Sequence, residues 1–218
     1  MKATAIDACV RILKGEVRRW QEPIVGVVAK SSGDPFRILI STVLSLRTQD
    51  RTTAQASARL FRLATVPKKL RSIPLRRIER AIYPVGFYRT KARHIREICR
   101  DLMARYDGRV PDTIEALLTL KGVGRKTANL VVTLGFHKPG ICVDTHVHRI
   151  SNRWGYIRTR TPKESEEALR RKLPRRYWMI FNDLLVPFGQ NLCKPISPLC
   201  SQCKLARYCD RVGVRKSR

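Results

Sequence analysis

The sequence predicts an all-α protein. Apolar residues recur at helical spacing through most of the chain, and several of these runs begin at a proline or at a residue that commonly caps a helix. No stretch alternates apolar and polar residues as a strand would, and no segment repeats. Helices of this kind each bury one apolar stripe against their neighbours, so we expect helix to pack on helix.

The individual helices follow from these runs. Asp34-Pro35 places a proline at a first helical position, and residues 36–44 are apolar on nearly all sides, which indicates a buried central helix. The spacing of Asp112 and Glu115 predicts a capping box. We expect helices over about 6–20, 35–44, 51–63, 68–72, 74–83, 112–120, 125–135, 145–154, 162–173 and 174–188, and a long helix that residues 86–92 introduce and that runs to about 106.

The charge of the chain indicates a polyanionic partner. Lys and Arg number 45 against 17 Asp and Glu, which gives a formal net charge of +28 along 218 residues. Excess of this size that is not confined to a tail favours nucleic acid as the partner. A solvated basic surface or a ribosome-associated protein is the alternative, but such proteins tend to carry low-complexity arms, which this sequence lacks.

The N-terminal residues and the cysteine usage indicate a compartment. Residues 1–7 lack the apolar core of a signal peptide, and no run approaches the ~18 apolar residues of a membrane span. We therefore expect a cytoplasmic or nucleoid-associated protein, nuclear in a eukaryote, that is neither secreted nor membrane-bound. Seven cysteines in that compartment indicate metal binding more than disulfides.

A paired-glycine turn joins two predicted helices at residues 120–129. Gly122 and Gly124 allow the backbone to turn tightly and to bring its N–H groups close to a ligand. The helix that follows points the positive end of its dipole at the same place. The segment therefore predicts a phosphate-sized binding turn with Lys126 just beyond it.

A second motif, Val143-Asp144-Thr145-His146, follows, and its aspartate lies eighteen residues after Lys126. We expect Asp144 to be the N-cap of a helix over about 145–154 that Gly155 closes. The intervening helix rises roughly 14 Å, and the eight residues after it span about 26 Å when extended. The chain is therefore long enough to bring Asp144 back towards Lys126.

Four cysteines near the C-terminus form a set with metal-ligand spacing. Cys193, Cys200, Cys203 and Cys209 follow a C-x6-C-x2-C-x5-C pattern. Four thiolates this close in sequence suit one tetrahedral zinc ion or one cubane cluster, and the spacing alone leaves both open. Because all four are used as ligands, the site is expected to be structural. The other three cysteines, in apolar contexts, are expected to be small core residues.

Together the glycine turn, the aspartate motif and the cysteine spacing resemble the endonuclease III family of DNA glycosylases. The resemblance implies two helical domains with a DNA-binding cleft between them. One is a helical bundle over 24–138 that contains a helix-hairpin-helix at about 113–136. The other combines 1–23 with 139–218 and holds a four-iron four-sulfur cluster in the loop 193–209, rather than zinc.

The resemblance also implies the catalytic and DNA-contacting residues. Lys126 is the expected nucleophile and Asp144 the expected assisting carboxylate. Arg47 stands where bacterial members commonly carry glutamine, which leaves the opposite-base preference open, and Lys121 replaces the proline usual in the hairpin. The expected DNA contacts are Lys121, Gly122, Val123, Gly124 and Arg125 of the hairpin, Arg47 and Gln49 of a gap-filling loop, Phe87 and Tyr88 of a wedge loop, and His146, with helix packing the alternative for Phe87 and His146.

We expect a monomeric, bifunctional DNA glycosylase and AP lyase of base excision repair. The implied substrates are oxidised or ring-saturated pyrimidines in double-stranded DNA. The lysine would displace the base, form a Schiff base and nick the strand by β-elimination. One alternative is a mismatch glycosylase of the same superfamily that removes thymine or uracil opposite guanine. The other is a non-catalytic module that only grips phosphate.

Overall fold

The computed structural model describes residues 5–20 and 24–218. Within these ranges the chain is helical and contains no strand, which confirms the predicted all-α class. None of the described helices is both long enough and apolar enough to cross a membrane. Residues 1–4 and 21–23 lie outside the described ranges. The first group belongs to the stretch examined for a signal peptide, and both belong to the predicted segment 1–23 of the second domain.

Twelve α-helices are described in chain order. They are α1 (Ile6–Glu16), α2 (Ile24–Ser32), α3 (Pro35–Ser45), α4 (Asp50–Leu63), α5 (Pro67–Leu70), α6 (Leu75–Ile82), α7 (Tyr88–Arg105), α8 (Ile114–Leu118), α9 (Arg125–Leu130), α10 (Thr145–Arg153), α11 (Pro162–Lys172) and α12 (Trp178–Asn191). A π-helical stretch, Val131–Gly135, continues α9. Short 3-10 turns cover Val17–Arg19, Arg175–Tyr177, Cys200–Gln202 and Ala206–Tyr208.

The described residues form two compact units. The central unit is Ile24–Lys138 and contains α2 to α9. The split unit joins α1 to everything from Pro139 to Arg218. The assignment of the split unit to a cluster-holding domain stays a prediction.

Helix α3 is the buried centre of the central unit. Asp34 caps it, with a side-chain oxygen that accepts a hydrogen bond from the Phe36 N–H at 2.9 Å, and Pro35 occupies the first helical position. Seven consecutive residues, 38–44, are buried, which confirms the predicted central helix. The π-helical stretch after α9 crosses it closely, because a Cβ on Gly135 would lie 3.2 Å from the Pro35 Cβ.

The core of the split unit is aromatic and draws on both ends of the chain. The Trp154 ring lies edge-on to Phe181, with ring centroids 6.5 Å apart, and 6.3 Å from the Phe188 ring. Leu13 of α1 is fully buried in the same cluster. Two ion pairs join α1 to the last third of the chain, Asp7 with Arg176 and Glu16 with Lys204.

Helix α2 was missed by the sequence prediction. Its sequence, Ile24–Ser32, contains a glycine and three valines, residues with low helix propensity, and carries few polar residues to mark a face. Packing against α3 and α4 stabilises it instead. Helical propensity is a weak guide wherever tertiary contacts supply the stabilising free energy.

Three predicted helices had wrong boundaries. Helix α12 runs from Trp178 to Asn191 and not over 174–188, because a 3-10 turn covers Arg175–Tyr177. The N-cap of α8 is Thr113, whose side chain accepts from the Ala116 N–H, and Asp112 instead pairs with Lys138 at 2.5 Å. The first helix ends at Glu16, not at residue 20, and continues only as a 3-10 turn.

Replacing Asp34 by alanine should lower the free energy of unfolding by about 1 kcal/mol, because the Phe36 N–H loses its acceptor at the start of the buried helix. Asp34→Asn keeps a side-chain oxygen at the cap and should unfold close to the unmodified protein. Urea unfolding followed by circular dichroism measures both. Equal stability of all three proteins would contradict the proposed importance of this cap.

Candidate active site

The hairpin between α8 and α9 is anchored in the core of the central unit. Leu120 and Val123 are both buried there, and the Val123 N–H donates to the Leu120 carbonyl at 3.1 Å. Between and beyond these anchors, Lys121, Gly122 and Gly124 are exposed. The apolar residues therefore fix the turn while its glycines face outward.

The two hairpin glycines answer different requirements. Gly122 has φ +75°, and a Cβ there would lie 2.3 Å from the His94 Nδ1. Gly124 has φ −99°, which any residue adopts, and no atom would lie within 4 Å of its Cβ. Gly122 is therefore needed for the turn itself, whereas Gly124 leaves space for an approaching ligand.

Lys126 lies in the first turn of α9 and is half-buried. The residues after it, Thr127 and Ala128, are fully buried, so they fix which face of the short helix points inward. Arg125, by contrast, is exposed, and its carbonyl accepts a hydrogen bond from the Asn129 side chain at 3.0 Å. The predicted nucleophile is thus held on a well-packed helix beside an exposed cation.

Asp50, in the first turn of α4, was not predicted as a site residue. Burial raises the pKa of this carboxyl group, while a hydrogen bond from the Ile24 backbone and the positive charge of Lys126 act in the opposite direction. Lys126 and Asp50 therefore interact electrostatically within the central unit. The signal that was available is its position, because it is the acidic last residue of the segment 45–50 that resembles the gap-filling loop of the family.

Asp144 is the N-cap of α10, as predicted. One of its carboxylate oxygens accepts from the N–H groups of His146 and Val147, both at 2.9 Å, and the residue is only 8% exposed. The C-terminal end of α10 was predicted correctly to within a residue, because the helix ends at Arg153 and Gly155 follows with φ +68°. The carboxylate is therefore oriented by the helix that it caps.

His146 packs closely against α12. A Cβ on Gly189 would lie 2.4 Å from the His146 Nδ1, and the Arg149 guanidinium contacts the same nitrogen at 3.2 Å. Arg149 also donates to the carbonyls of Gly189 and Cys193. These contacts support packing as the role of His146, and its DNA contact stays a prediction.

The predicted gap-filling and wedge loops lie side by side in the central unit. The exposed residues Arg47 and Phe87 both have left-handed backbone conformations, with φ of 52° and 57°. The Arg47 guanidinium carbon lies 5.8 Å from the centroid of the Phe87 ring, which is 64% exposed. Tyr88 instead packs edge-on against Tyr83, with ring centroids 5.4 Å apart. Of the two predicted wedge residues, Phe87 is the one that projects outward.

Gln49 is the exposed N-cap of α4. Its carbonyl accepts from the Thr53 N–H at 2.9 Å and from the Thr53 hydroxyl at 3.1 Å. The backbone of this residue thus starts the helix while its side chain remains accessible.

The four cysteines of the C-terminal set line one small cavity. Arg153, which also lines it, donates to the Cys193 sulfur at 3.3 Å and to the Lys194 and Pro195 carbonyls at 2.8 and 3.1 Å. The Arg211 N–H donates to the Cys209 sulfur at 3.4 Å. Protein donors therefore reach two of the four sulfurs, those of Cys193 and Cys209.

Burial and, to a smaller extent, the other three cysteines of the set together raise the pKa of the Cys203 thiol to about 11. Burial, with Cys193 and Cys200, also raises the pKa of the Cys209 thiol. In the described ranges, no three His, Cys, Asp or Glu side chains are arranged as ligands of a single metal ion. The sulfurs share a cavity without meeting at one point. The remaining cysteines, Cys9, Cys99 and Cys142, are buried as predicted.

The described residues are helical, and a glycine hairpin joins α8 to α9, which carries a lysine in its first turn. This arrangement defines the class of helix-hairpin-helix proteins. The model of the HhH-GPD superfamily of base excision DNA repair proteins matches residues 40–175. Endonuclease III of Thermotoga maritima is 52% identical over 177 residues, which cover 81% of this chain and 83% of that protein. Endonuclease III of Bacillus subtilis is 36% identical over 186 residues, 85% of this chain and 84% of the relative.

Solved structures give the same result. A structure of a non-covalent endonuclease III–DNA complex has a TM-score of 0.86 and 34% identity, and covers 97% of this chain and 96% of that one. A thermostable thymine-DNA glycosylase follows with a TM-score of 0.75 and 25% identity, covering 94% and 98%. The chain belongs to the endonuclease III family of the HhH-GPD superfamily. It is therefore an enzyme of base excision repair, with DNA glycosylase and AP lyase activity.

The different roles of the hairpin glycines can be separated by stability. Gly122→Ala should lower the free energy of unfolding by about 2 kcal/mol, because alanine is strained at positive φ and its methyl group meets His94. Gly124→Ala is the matched control and should change it by less than about 0.5 kcal/mol. Chemical denaturation measures the difference, and equal destabilisation by the two substitutions would disprove this distinction.

Proposed function

We propose that this enzyme removes oxidised or ring-saturated pyrimidines from double-stranded DNA and then nicks the strand 3′ to the abasic site. The observation that carries the proposal is the position of Lys126, a half-buried amine in the first turn of the helix that follows the glycine hairpin. An amine, unlike a water molecule, can both displace a base and remain bonded to the sugar. One residue then accounts for base release and strand cleavage.

The proposed reaction has three steps. The neutral amine of Lys126 forms a bond to C1′ while the bond from C1′ to the base breaks, and the base leaves with a proton. The nitrogen lone pair then breaks the bond from C1′ to the ring oxygen O4′, which takes up a proton, and a protonated imine forms between the lysine and C1′. Loss of a proton from C2′ moves an electron pair that expels the 3′ phosphate, which is β-elimination. The damaged nucleotide must first leave the base stack, because C1′ is otherwise inaccessible.

Asp144 is the proposed partner in this chemistry. Two backbone N–H groups orient its carboxylate at the N-terminus of α10. A carboxylate in that position is suited to accept the proton that the ammonium must lose and to stabilise positive charge that develops on the sugar. Lys126 belongs to the central unit and Asp144 to the split unit, so the proposal requires DNA to engage both.

The hairpin and the two adjacent loops are the proposed DNA contacts. Exposed Lys121, Gly122, Gly124 and Arg125 offer charge and accessible backbone to a phosphate, while Val123 anchors the turn from inside. The exposed Phe87 ring is suited to part a base step. Arg47 and Gln49 offer hydrogen-bond donors to the base left without a partner.

The net charge of +28 supports binding to double-stranded DNA, and the proposed chemistry requires a damaged base or an abasic site in that DNA. We place the enzyme in the cytoplasm, at the nucleoid, and expect it to act as a monomer.

A four-iron four-sulfur cluster is the proposed cofactor, held by Cys193, Cys200, Cys203 and Cys209. Their side chains line a common cavity, and four thiolates at this spacing suit one cubane cluster. When bound, the cluster supplies a structural crosslink between four positions of the loop. Arg153 holds the loop from the other side through its bonds to Cys193, Lys194 and Pro195.

Borohydride trapping tests the lyase chemistry. Incubation with a duplex that contains a ring-saturated pyrimidine and sodium borohydride should give a covalent protein–DNA adduct. Lys126→Ala should abolish the adduct, because no amine remains to form the imine. Asp144→Asn keeps a capping side chain but removes the charge, so it should fold normally and lower the rate of adduct formation at least tenfold.

The same assay distinguishes the alternatives. Release of thymine or uracil opposite guanine without an adduct would indicate a mismatch glycosylase, the function that the likeness to a thymine-DNA glycosylase favours as second candidate. Binding without base release or adduct would indicate a non-catalytic module. Full activity of Asp144→Asn at pH 7 would refute the role of the carboxylate.

Loss of one cysteine tests the cluster. The purified protein should be brown, with broad visible absorbance and bound iron and sulfide. Cys203→Ala should lose both the colour and the iron, whereas Cys99→Ala, at a buried cysteine of the central unit, should keep them. Bound zinc without visible absorbance would overturn the cluster assignment.

A further inference from the structure

We propose that Lys91 is a positioning residue that holds the gap-filling loop (residues 46–49) and the wedge loop (residues 84–88) in one fixed arrangement. The inference rests on the proposed function, because it concerns how these two loops enter DNA. Lys91 was not among the residues predicted to contact DNA or to take part in catalysis. All of its contacts lie within the central unit.

The Lys91 side chain is buried, with 6% of the residue exposed, near the start of α7. Its Nζ donates to the Leu44 carbonyl at 2.8 Å, to the Leu46 carbonyl, and to the Thr48 hydroxyl at 3.2 Å. An ammonium group has three N–H donors, and these three acceptors match that number. Its donors therefore all point to the end of α3 and the loop that follows.

Thr48 extends this contact to the wedge loop. Its hydroxyl oxygen also accepts from the Gly86 N–H at 3.2 Å. The two backbones nearly touch here, because a Cβ on Gly86 would lie 2.7 Å from the Arg47 carbonyl oxygen. Lys91, Thr48 and Gly86 thus form a continuous hydrogen-bonded connection between the loops.

The chemistry of the site favours a charged lysine. Burial lowers the pKa of Lys91 to about 8, so the ammonium form still predominates at neutral pH. The Leu44 and Leu46 carbonyls lie at the C-terminal end of α3, where the helix dipole is negative and stabilises a cation. A neutral side chain of the same length would leave buried carbonyl oxygens without a donor, which is costly.

The connection explains how strained residues can be presented outward. Arg47 and Phe87 both have left-handed backbone conformations, which residues other than glycine rarely adopt. Such conformations persist only where surrounding contacts determine them. With the loops fixed before binding, Arg47 and Phe87 reach the duplex together, without the entropy cost of ordering each loop separately.

Lys91→Met tests the proposal, because methionine keeps the apolar stem and removes all three donors. Three measurements are compared with the unmodified protein. Hydrogen exchange in the DNA-free chain should be at least tenfold faster at the Gly86 and Thr48 amides. The value of kcat/KM for excision from a damaged duplex should fall at least tenfold. Imine trapping on a single-stranded abasic oligonucleotide, which needs no base extrusion, should stay within threefold.

Two further variants guard against a trivial loss of folding. Thr48→Val removes the shared hydroxyl but nearly preserves shape, and should change the same two quantities in the same direction by a smaller factor. Arg100→Met removes an exposed cation from the same helix and should change neither.

Unchanged exchange at Gly86 and Thr48 in Lys91→Met would overturn the proposal, and so would equal losses on duplex and single-stranded substrates. Faster exchange with undiminished duplex excision would also refute the positioning role. If the unmodified protein forms no imine on any substrate, the proposed function fails instead, while the exchange measurement still reports on the contact between the loops.

Discussion

The architecture of the central unit depends on the burial of α3. Its residues 38–44 are enclosed without interruption, so every neighbouring helix is positioned by contact with it. Pro35, at its first turn, is crossed by the helix that carries Lys126, and the carbonyls at its other end accept from Lys91. One apolar helix therefore sets the position of the candidate nucleophile and of both loops that project outward.

Three of the few carboxylates in this strongly basic chain are buried and have partners. Glu16 is buried and pairs with Arg19 and Lys204, while Glu166 is buried and pairs with Arg170 at 3.0 Å. Asp144 is nearly buried and satisfied by the backbone of α10. These buried acidic groups pair with only a few of the cations, which leaves most of the positive charge on the surface, where it attracts a polyanion and is screened by salt.

Sequence reasoning succeeded where the signal is local. The all-round apolar pattern of α3 and the capping role of Asp144 depend on adjacent residues, and both were predicted correctly. Thr113, by contrast, had to compete with Asp112 for the same cap, and the contact of Asp112 with Lys138 that decides the outcome is 26 residues away. Local patterns do not contain such contacts.

The missed site residues have the same explanation. Lys91 occupies a core position of α7, at helical spacing from Ile95, Ile98 and Leu102, but a lysine there is interpretable only when its distant acceptors are known. Asp50 became notable only through its proximity to Lys126. In both cases the chemistry of a single residue was visible in the sequence, whereas its partner, more than forty residues away, was not.

The split unit has a consequence for the order of folding during synthesis. Helix α1 is made first, yet the partners of Asp7 and Glu16 are Arg176 and Lys204, near the other end of the chain. When residues 24–138 have left the ribosome, the central unit can already fold. The apolar face of α1 is still exposed then, because α12, on which it packs, has not been synthesised. A chaperone that shields a short amphipathic helix would be most useful in that interval, and stalled translation before α12 would leave α1 as the exposed, aggregation-prone segment.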